Sequence, residues 1–297
     1  MSVLLPAILP VALIIFIGFI AGRTLNLKLS TLSQLSVYIL CPALIADSLY
    51  RTTISAKSVL DLSLGVVIIA LVMYLIAWGI SYFFQVSSLT YRSLVATTVH
   101  PNNGNMGLPF VDFALGSGGL ERAIIYMISS AIIMFGFAPA ILTGSSLKKG
   151  LILTLKLPLI WAMLAGLALR LLGIELPFKL GEGIHLLGRS AIPIDLIILG
   201  MQLSNTRLTV AKYEFISTIL RLLIAPIIAF YVGKMLNLEG LDLQVLILQS
   251  AMPTAINTLV LVTEFGGDAP RVARTIVVTT LSSFITLPLV LWAATGF

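Results

Sequence analysis

Two stretches of this sequence place asparagine and threonine side chains next to a proline in apolar surroundings. The first runs from His100 to Pro109 and the second from Ser250 to Thr258. Amide and hydroxyl groups hydrogen-bond without carrying charge, so they suit recognition of a polar or anionic ligand. The candidate substrate-binding residues are Asn102, Asn103, Asn105, Thr254, Asn257 and Thr258.

Both stretches are predicted to interrupt a helix. Pro101 and Pro253 each remove a backbone hydrogen bond and clash with the preceding turn, and Gly104 adds a further helix-weakening residue to the first stretch. Carbonyl groups freed in lipid cost several kcal/mol unless protein or water satisfies them, so the breaks should line an interior cavity. The alternative is a simple kink that the asparagines cap.

The elements around these breaks are predicted to be transmembrane helices. The chain is 59% hydrophobic and only 10% charged, with a mean hydropathy of +1.09, whereas soluble domains are about 25% charged. Spanning a bilayer takes about 20 apolar residues. An all-α integral membrane protein of ten transmembrane helices is therefore expected, with helices near residues 3–22, 31–50, 59–84, 91–115, 120–143, 151–172, 184–203, 212–235, 242–265 and 272–295.

The ten apolar runs divide into two sets of five that show an internal repeat. An offset of 152 residues superposes seven identical or conservative pairs: Thr98 and Ser250, Pro101 and Pro253, Asn102 and Thr254, Asn105 and Asn257, Asp112 and Glu264, Phe113 and Phe265, Arg122 and Arg274. An odd number of helices per repeat inverts the second repeat relative to the first. We therefore predict two inverted five-helix repeats, residues 1–145 and 146–297, whose broken helices 4 and 9 cross.

The inverted arrangement predicts an anion site. The segments after Pro101 and Pro253 would enter the crossing from opposite faces, each with its amino-terminal end first. Each end carries roughly half an elementary positive charge and free N–H donors. The occupant is therefore expected to be a small organic anion such as a carboxylate.

Several ionisable residues lie within or beside the apolar runs. His100 could couple proton movement to transport, because histidine titrates near neutral pH, or it could remain a neutral hydrogen-bonding group. Asp195 lies in the seventh run, where a carboxylate costs about 2.5–3.5 kcal/mol on insertion scales. Proton coupling, gating of the substrate and a purely structural role all remain open for Asp195.

Other charged residues are expected to form ion pairs. Asp47 and Arg51 are four residues apart near a helix end, which favours a local pair. The matched positions in the two repeats predict two further pairs that would join helices 4 and 5 and helices 9 and 10: Asp112 with Arg122, and Glu264 with Arg274.

The basic residues predict the orientation of the chain. With both termini outside, eleven of the 18 Lys and Arg residues lie on the inner side and seven on the outer side, which favours this orientation under the positive-inside rule. The eleven are Arg23, Lys28, Arg92, Lys148, Lys149, Lys156, Arg207, Lys212, Arg221, Arg271 and Arg274.

The motifs around both breaks resemble the auxin efflux carrier family. They are the stretch from His100 to Phe110, and the run from Ala251 to Asn257 followed by residues 264–268. The resemblance extends over essentially the whole chain and includes the plant PIN-FORMED carriers, although His100 stands where those carriers have an asparagine. It implies a fold like that of bile acid sodium symporters, with a scaffold domain from helices 1, 2, 6 and 7. Helices 3–5 and 8–10 would form a transport domain that moves in an elevator-type cycle of alternating access.

The same sequence argues against other classes of protein. It shows no nucleophile–base constellation, metal-ligand cluster or phosphate loop, and its one cysteine, Cys41, excludes a disulfide. We therefore expect a transporter in the plasma membrane, specifically a bacterial inner membrane, and neither an enzyme nor a nucleic-acid-binding protein, with no cofactor or metal. The expected partners are the organic anion and the lipid bilayer, while proton or sodium coupling and a homodimer remain open. The alternatives are a sodium-coupled symporter and a membrane receptor that does not transport.

Overall fold

The computed structural model describes residues 4–137, 147–204 and 210–296, and within these ranges the secondary structure is helical. The prediction of an all-α chain is confirmed for these residues. The predicted junction between the repeats at residues 145 and 146 lies outside them, as does Arg207. In chain order the helices are α1 Leu4–Thr24, α2 Leu29–Arg51, α3 Ala56–Phe83, α4 Ser88–Val99, α5 Asn103–Phe137, α6 Leu147–Leu155, α7 Pro158–Leu171, α8 Leu180–Ser204, α9 Lys212–Met235, α10 Gly240–Ser250, α11 Asn257–Phe265 and α12 Ala269–Ala294.

Helices α2, α3, α5, α8, α9 and α12 are long and apolar enough to cross a membrane. Their neighbours α1 and α7 contribute shorter apolar stretches, Ile8–Thr24 and Pro158–Leu171. Large apolar side chains also remain exposed on the outside of the helices, among them Leu13 at 59% and Trp292 at 67%. Extended apolar surfaces of this kind suit contact with lipid rather than water. The arrangement as ten membrane spans remains a prediction.

The two predicted helix breaks are present. Helix α4 ends at Val99 and α5 begins at Asn103, while α10 ends at Ser250 and α11 begins at Asn257. The prolines explain both interruptions, because a proline cannot donate the backbone hydrogen bond that a continuous helix needs at its position.

A further discontinuity lies inside α5 at Gly116. Its φ of 68° belongs to the left-handed region, which glycine adopts without a steric penalty. A Cβ added at Gly119 would lie 3.1 Å from a methyl of Val111, whereas eight residues of straight helix would separate these positions by about 12 Å. The chain therefore folds back at Gly116, between the fourth and fifth predicted runs. Gly266, with a φ of 86°, makes the matching turn between α11 and α12.

Helices α1, α2, α7 and α8 pack against one another through close backbone contacts. A Cβ added at Gly18 of α1 would lie 2.7 Å from the Cα of Ile197 in α8, and one at Gly188 of α8 would lie 2.7 Å from the Cα of Leu44 in α2. A Cβ added at Gly166 of α7 would lie 3.1 Å from the Cα of Ala46 in α2. Small residues at helix contacts let backbones approach closely, which is how membrane helices gain packing energy.

The Gly18→Val variant is expected to lower the thermal unfolding midpoint of the purified protein by several degrees. The added side chain would overlap the α8 backbone, and overpacking typically costs about 1–3 kcal/mol. Gly79→Val is the matched control, because Gly79 also lies in a helix but a Cβ there meets no atom within 4 Å. Equal midpoints for the two variants in the same detergent would contradict this interpretation.

A second hydrophobic core lies among the other helices. Buried side chains from α3, α4, α9, α10 and α12 meet there, including Met73, Leu94, Ala225, Leu246 and Val272. The first core joins the α1, α2, α7 and α8 group to α5 and α10. The two broken helices thus lie where the two groups of helices meet.

Candidate functional site

The two helix breaks lie side by side and bond to each other through their backbones. The N–H of Asn102 donates to the carbonyl of Pro253 at 2.7 Å, and the N–H of Ala255 donates to the carbonyl of His100 at 3.0 Å. These bonds form a short antiparallel bridge. Backbone groups that the prolines leave without helical partners therefore satisfy one another, and the prediction that the breaks meet is confirmed.

A cavity of about 130 Å³ opens beside this crossing. A volume of this size holds several water molecules or a small ligand. Its remaining walls come from α2, the second half of α5 and the chain leading into α7. The residues of the two breaks that line it are Pro101, Asn102, Asn103, Gly104, Asn105, Ala255, Ile256 and Asn257.

Two of the predicted binding residues present buried amide nitrogens without a partner. Asn102 is 4% exposed and Asn103 is 8% exposed, and the Nδ2 atom of each has no hydrogen-bond partner among the described residues. Leaving a buried donor unpaired costs about 1–3 kcal/mol. Both residues line the cavity, so a ligand with acceptor oxygens would satisfy them. Asn105 and Asn257 line the same cavity and are more exposed.

The two predicted threonines have a different environment. The hydroxyl of Thr254 donates to the carbonyl of Thr97 at 2.8 Å, and the hydroxyl of Thr258 donates to the carbonyl of Ala255 at 2.6 Å. Neither threonine is part of the cavity wall. Their bonds stabilise the backbone of the second break, so the structure groups the four asparagines at the cavity and leaves Thr254 and Thr258 behind it.

Two helices begin at the cavity. The first turn of α5 starts at Asn103 and α11 starts at Asn257, and both residues are in the cavity wall. The amino-terminal end of a helix presents free N–H groups and a partial positive charge. The site therefore combines two helix ends with neutral amide side chains, an arrangement that favours binding of an anion.

Asp195 does not line the cavity, but it contacts a residue that does. It is 2% exposed and accepts hydrogen bonds from the hydroxyl of Ser36 and, at 3.5 Å, from the thiol of Cys41. Cys41 is itself part of the cavity wall. No basic side chain forms an ion pair with Asp195 in the part of the chain that the structure describes. The side chain of Cys41 therefore lies between the carboxyl group of Asp195 and the cavity.

His100 lies on another side of the crossing. Its side chain is 3% exposed and lines a separate, apolar cavity of about 310 Å³ together with Tyr74, Val95 and Ile133. Of the two residues predicted to couple protons, the structure therefore connects only Asp195 with the asparagine-lined cavity.

The predicted ion pairs are partly wrong. Asp47 does pair with Arg51 at 2.7 Å, and it also contacts His185 at 2.7 Å. The Asp112–Arg122 and Glu264–Arg274 pairs do not form among the described residues. The actual partners bring other helices together: Arg122 pairs with Asp242, Asp112 with Arg189, and Arg274 with Glu214.

Arg221 is the residue of this region whose role the sequence interpretation missed. The orientation count places Arg221 with the basic residues of the inner side, but its side chain is 1% exposed and lies against the crossing. Its position within a long apolar run was the available signal, since an ionisable residue inside a membrane span marks a functional candidate by default.

The chain is similar to known membrane proteins along nearly its whole length. A family model described as "Membrane transport protein" matches residues 3–146 and 138–291. An uncharacterized transporter of Methanothermobacter thermautotrophicus is 29% identical over 95% of this chain and 95% of its own. A Rhizobium meliloti protein named "Putative malonate transporter" is 25% identical over 94% of this chain and 92% of its own. Uncharacterized transporter YfdV of Escherichia coli K12 is 22% identical, with 95% of both chains covered.

Proposed function

The chain belongs to the membrane transport protein family, the auxin efflux carrier family that its sequence resembles, and from this premise we propose that it is a secondary transporter for a small carboxylate. One observation carries the proposal. The unpartnered, buried amide nitrogens of Asn102 and Asn103 line a cavity at which two helices begin. A carboxylate offers acceptor oxygens to the amides and negative charge to the helix ends.

The size and walls of the cavity support a small substrate. A volume of about 130 Å³ beside the asparagines suits a small molecule. Opposite the asparagines the walls are mainly apolar, with Ile45, Met127, Met134 and Leu159 among them. The name of the Rhizobium meliloti relative refers to malonate, which is a small dicarboxylate. Short mono- and dicarboxylates are therefore the compounds to test first.

The proposed mechanism is an elevator-type movement of one group of helices against another. Helices α1, α2, α6, α7 and α8 would form the scaffold, and α3–α5 with α9–α12 would form the transport domain. In this proposal α6 and α7 together form one span, and so do α10 and α11. Helix α5 divides at Gly116, so that its first part completes the span begun by α4 and its second part forms a span of its own. The result is ten spans in two inverted repeats. The bond pattern of the crossing and the matching turns at Gly116 and Gly266 support that proposal. We place the protein in a bacterial inner membrane with both termini outside.

An ion pair between the two proposed domains provides a test of this mechanism. Asp112 of α5 contacts Arg189 of α8 at 2.9 Å. Reversing either charge should slow uptake by about fivefold, because a partly exposed ion pair contributes up to ~1 kcal/mol, and the double charge exchange Asp112→Arg with Arg189→Asp should restore it. Lys57→Glu is the control, since the Lys57–Asp61 pair lies within α3. Failure of the exchange to restore uptake would exclude a direct role for this pair.

We further propose that Asp195, rather than His100, carries any coupled proton. Asp195 bonds to Cys41 in the cavity wall, whereas His100 lines a different cavity. The carboxyl group would lie close enough to the site for its affinity for a proton to depend on whether a substrate occupies the cavity.

Protection of Cys41 tests the proposed substrate class directly. Cys41 is the only cysteine of the chain and lines the cavity, so reaction of the purified protein with a maleimide reports on that site alone. Saturating malonate or acetate should slow the reaction, while choline at the same ionic strength should not, and Cys41→Ser provides the unlabelled background. If no member of a carboxylate panel slows labelling, the substrate assignment is wrong.

Uptake into vesicles separates a transporter from a receptor. Protein reconstituted in sealed vesicles should accumulate the protecting carboxylate in amounts that exceed one molecule per protein many times over. Protection of Cys41 without such accumulation would instead identify a membrane receptor.

A further inference from the structure

Arg221 is a fully buried guanidinium group beside the crossing of the broken helices. It lies in the π-helical turn Leu220–Ile224 of α9 and is 1% exposed. No carboxylate pairs with it in the ranges 4–137, 147–204 and 210–296. A buried charge without a counter-charge is costly, so other groups of the structure must stabilise it.

Those groups are the carboxy-terminal ends of the two interrupted helices. Nη1 of Arg221 donates to the carbonyl of Thr98 at 2.7 Å, and Nη2 donates to the carbonyl of Ser250. Thr98 is the penultimate residue of α4 and Ser250 is the last residue of α10. Each carboxy-terminal end carries about half an elementary negative charge. Together the two ends supply roughly the one charge that the guanidinium neutralises.

The two acceptors are equivalent positions of the repeat. Thr98 and Ser250 are related by the 152-residue offset, whereas the position 152 residues before Arg221 is Ile69, which is apolar. One arginine therefore serves both repeats. It lies where the two negative helix ends converge, while the two positive helix ends, at Asn103 and Asn257, face the cavity.

We propose that Arg221 is a built-in cation that occupies the place of a coupling ion. In transporters with broken helices, carboxy-terminal half-helix ends and unwound carbonyls coordinate the coupling cation. Here a tethered guanidinium group binds those carbonyls permanently. The carrier consequently binds no alkali cation at the crossing, and its transport does not depend on a sodium gradient.

Sodium itself is the probe for this proposal, so the result does not depend on whether the substrate is a carboxylate. Thermal unfolding of the purified protein is measured in sodium, potassium and choline chloride at equal ionic strength. The wild-type midpoint should be the same in all three salts. Stabilisation of the wild type that is specific for sodium and saturates with its concentration would overturn the proposal.

Variants at position 221 test the role of the charge. Arg221→Gln leaves both carbonyls without a cation, so its midpoint in choline chloride should fall by several degrees and sodium should recover part of that loss. Arg221→Lys keeps the charge and should fold without a sodium response. Arg170→Gln, at an exposed arginine, controls for the loss of a positive charge in general. If Arg221→Gln does not fold, Arg221→Lys decides: a folded, sodium-insensitive lysine variant supports the proposal, and failure of both variants overturns it.

Discussion

Replacing both Asn105 and Asn257 by alanine is expected to abolish carboxylate uptake while the protein remains folded. Both side chains line the cavity beside the crossing, one after each break. A hydrogen bond to a charged group contributes about 1.5–3 kcal/mol, so losing two should weaken binding by roughly a hundredfold to ten-thousandfold. Uptake into vesicles at a fixed substrate concentration measures the effect.

The double variant should retain its stability because the two side chains are not part of the buried core. Asn105 is only partly buried and Asn257 is exposed. Its unfolding midpoint should therefore stay close to that of the wild type. Asn26→Ala serves as the control, since Asn26 is an exposed asparagine between α1 and α2, and this variant should transport normally. Wild-type uptake by a stably folded double variant would show that the substrate binds elsewhere.

The second large effect is expected for Asp195→Asn, which keeps the shape of the side chain but removes its acidic group. If Asp195 carries the coupled proton, uptake driven by a pH gradient should fall by at least about tenfold, which corresponds to ~1.4 kcal/mol. Exchange of substrate between equal pools should continue, because the asparagines of the cavity are intact. The amide oxygen can still accept a hydrogen bond from the hydroxyl of Ser36, while the amide nitrogen replaces the oxygen that faces the thiol of Cys41.

His100→Gln is the matched comparison for Asp195→Asn. Histidine is also ionisable and buried at the crossing, but it lines a cavity other than the candidate site. This variant should keep the response to a pH gradient. A reversed pattern, with the response lost in His100→Gln and kept in Asp195→Asn, would place the proton on the histidine. Loss of exchange in Asp195→Asn would instead point to a structural role for the aspartate.

Features that depend on local covalent structure were predictable from the sequence. Pro101 and Pro253 interrupt their helices in any surroundings, because neither can donate a backbone hydrogen bond. The asparagines follow the breaks within one turn, so their place at the cavity follows from the breaks themselves. The Asp47–Arg51 pair is also local, since residues four apart lie on one helix face.

The contacts between distant helices depended on tertiary packing. The equivalent charges Asp112 and Glu264 predicted two symmetrical ion pairs, yet Asp112 contacts Arg189 of another helix. Hydrophobic periodicity shows which residues share a helix face, but it does not show which helices become neighbours. For the same reason the sequence did not connect Asp195 with Cys41.

The broken helices, the asparagines and the membrane character of the chain are thus properties of the sequence alone. Only the tertiary structure decided that Thr254 and Thr258 lie behind the site and that Arg221 lies inside it. The physical reason is that a buried charge can be stabilised by backbone carbonyls at helix ends. Those carbonyls converge only when the two halves of the chain pack together, and a linear sequence does not display that convergence.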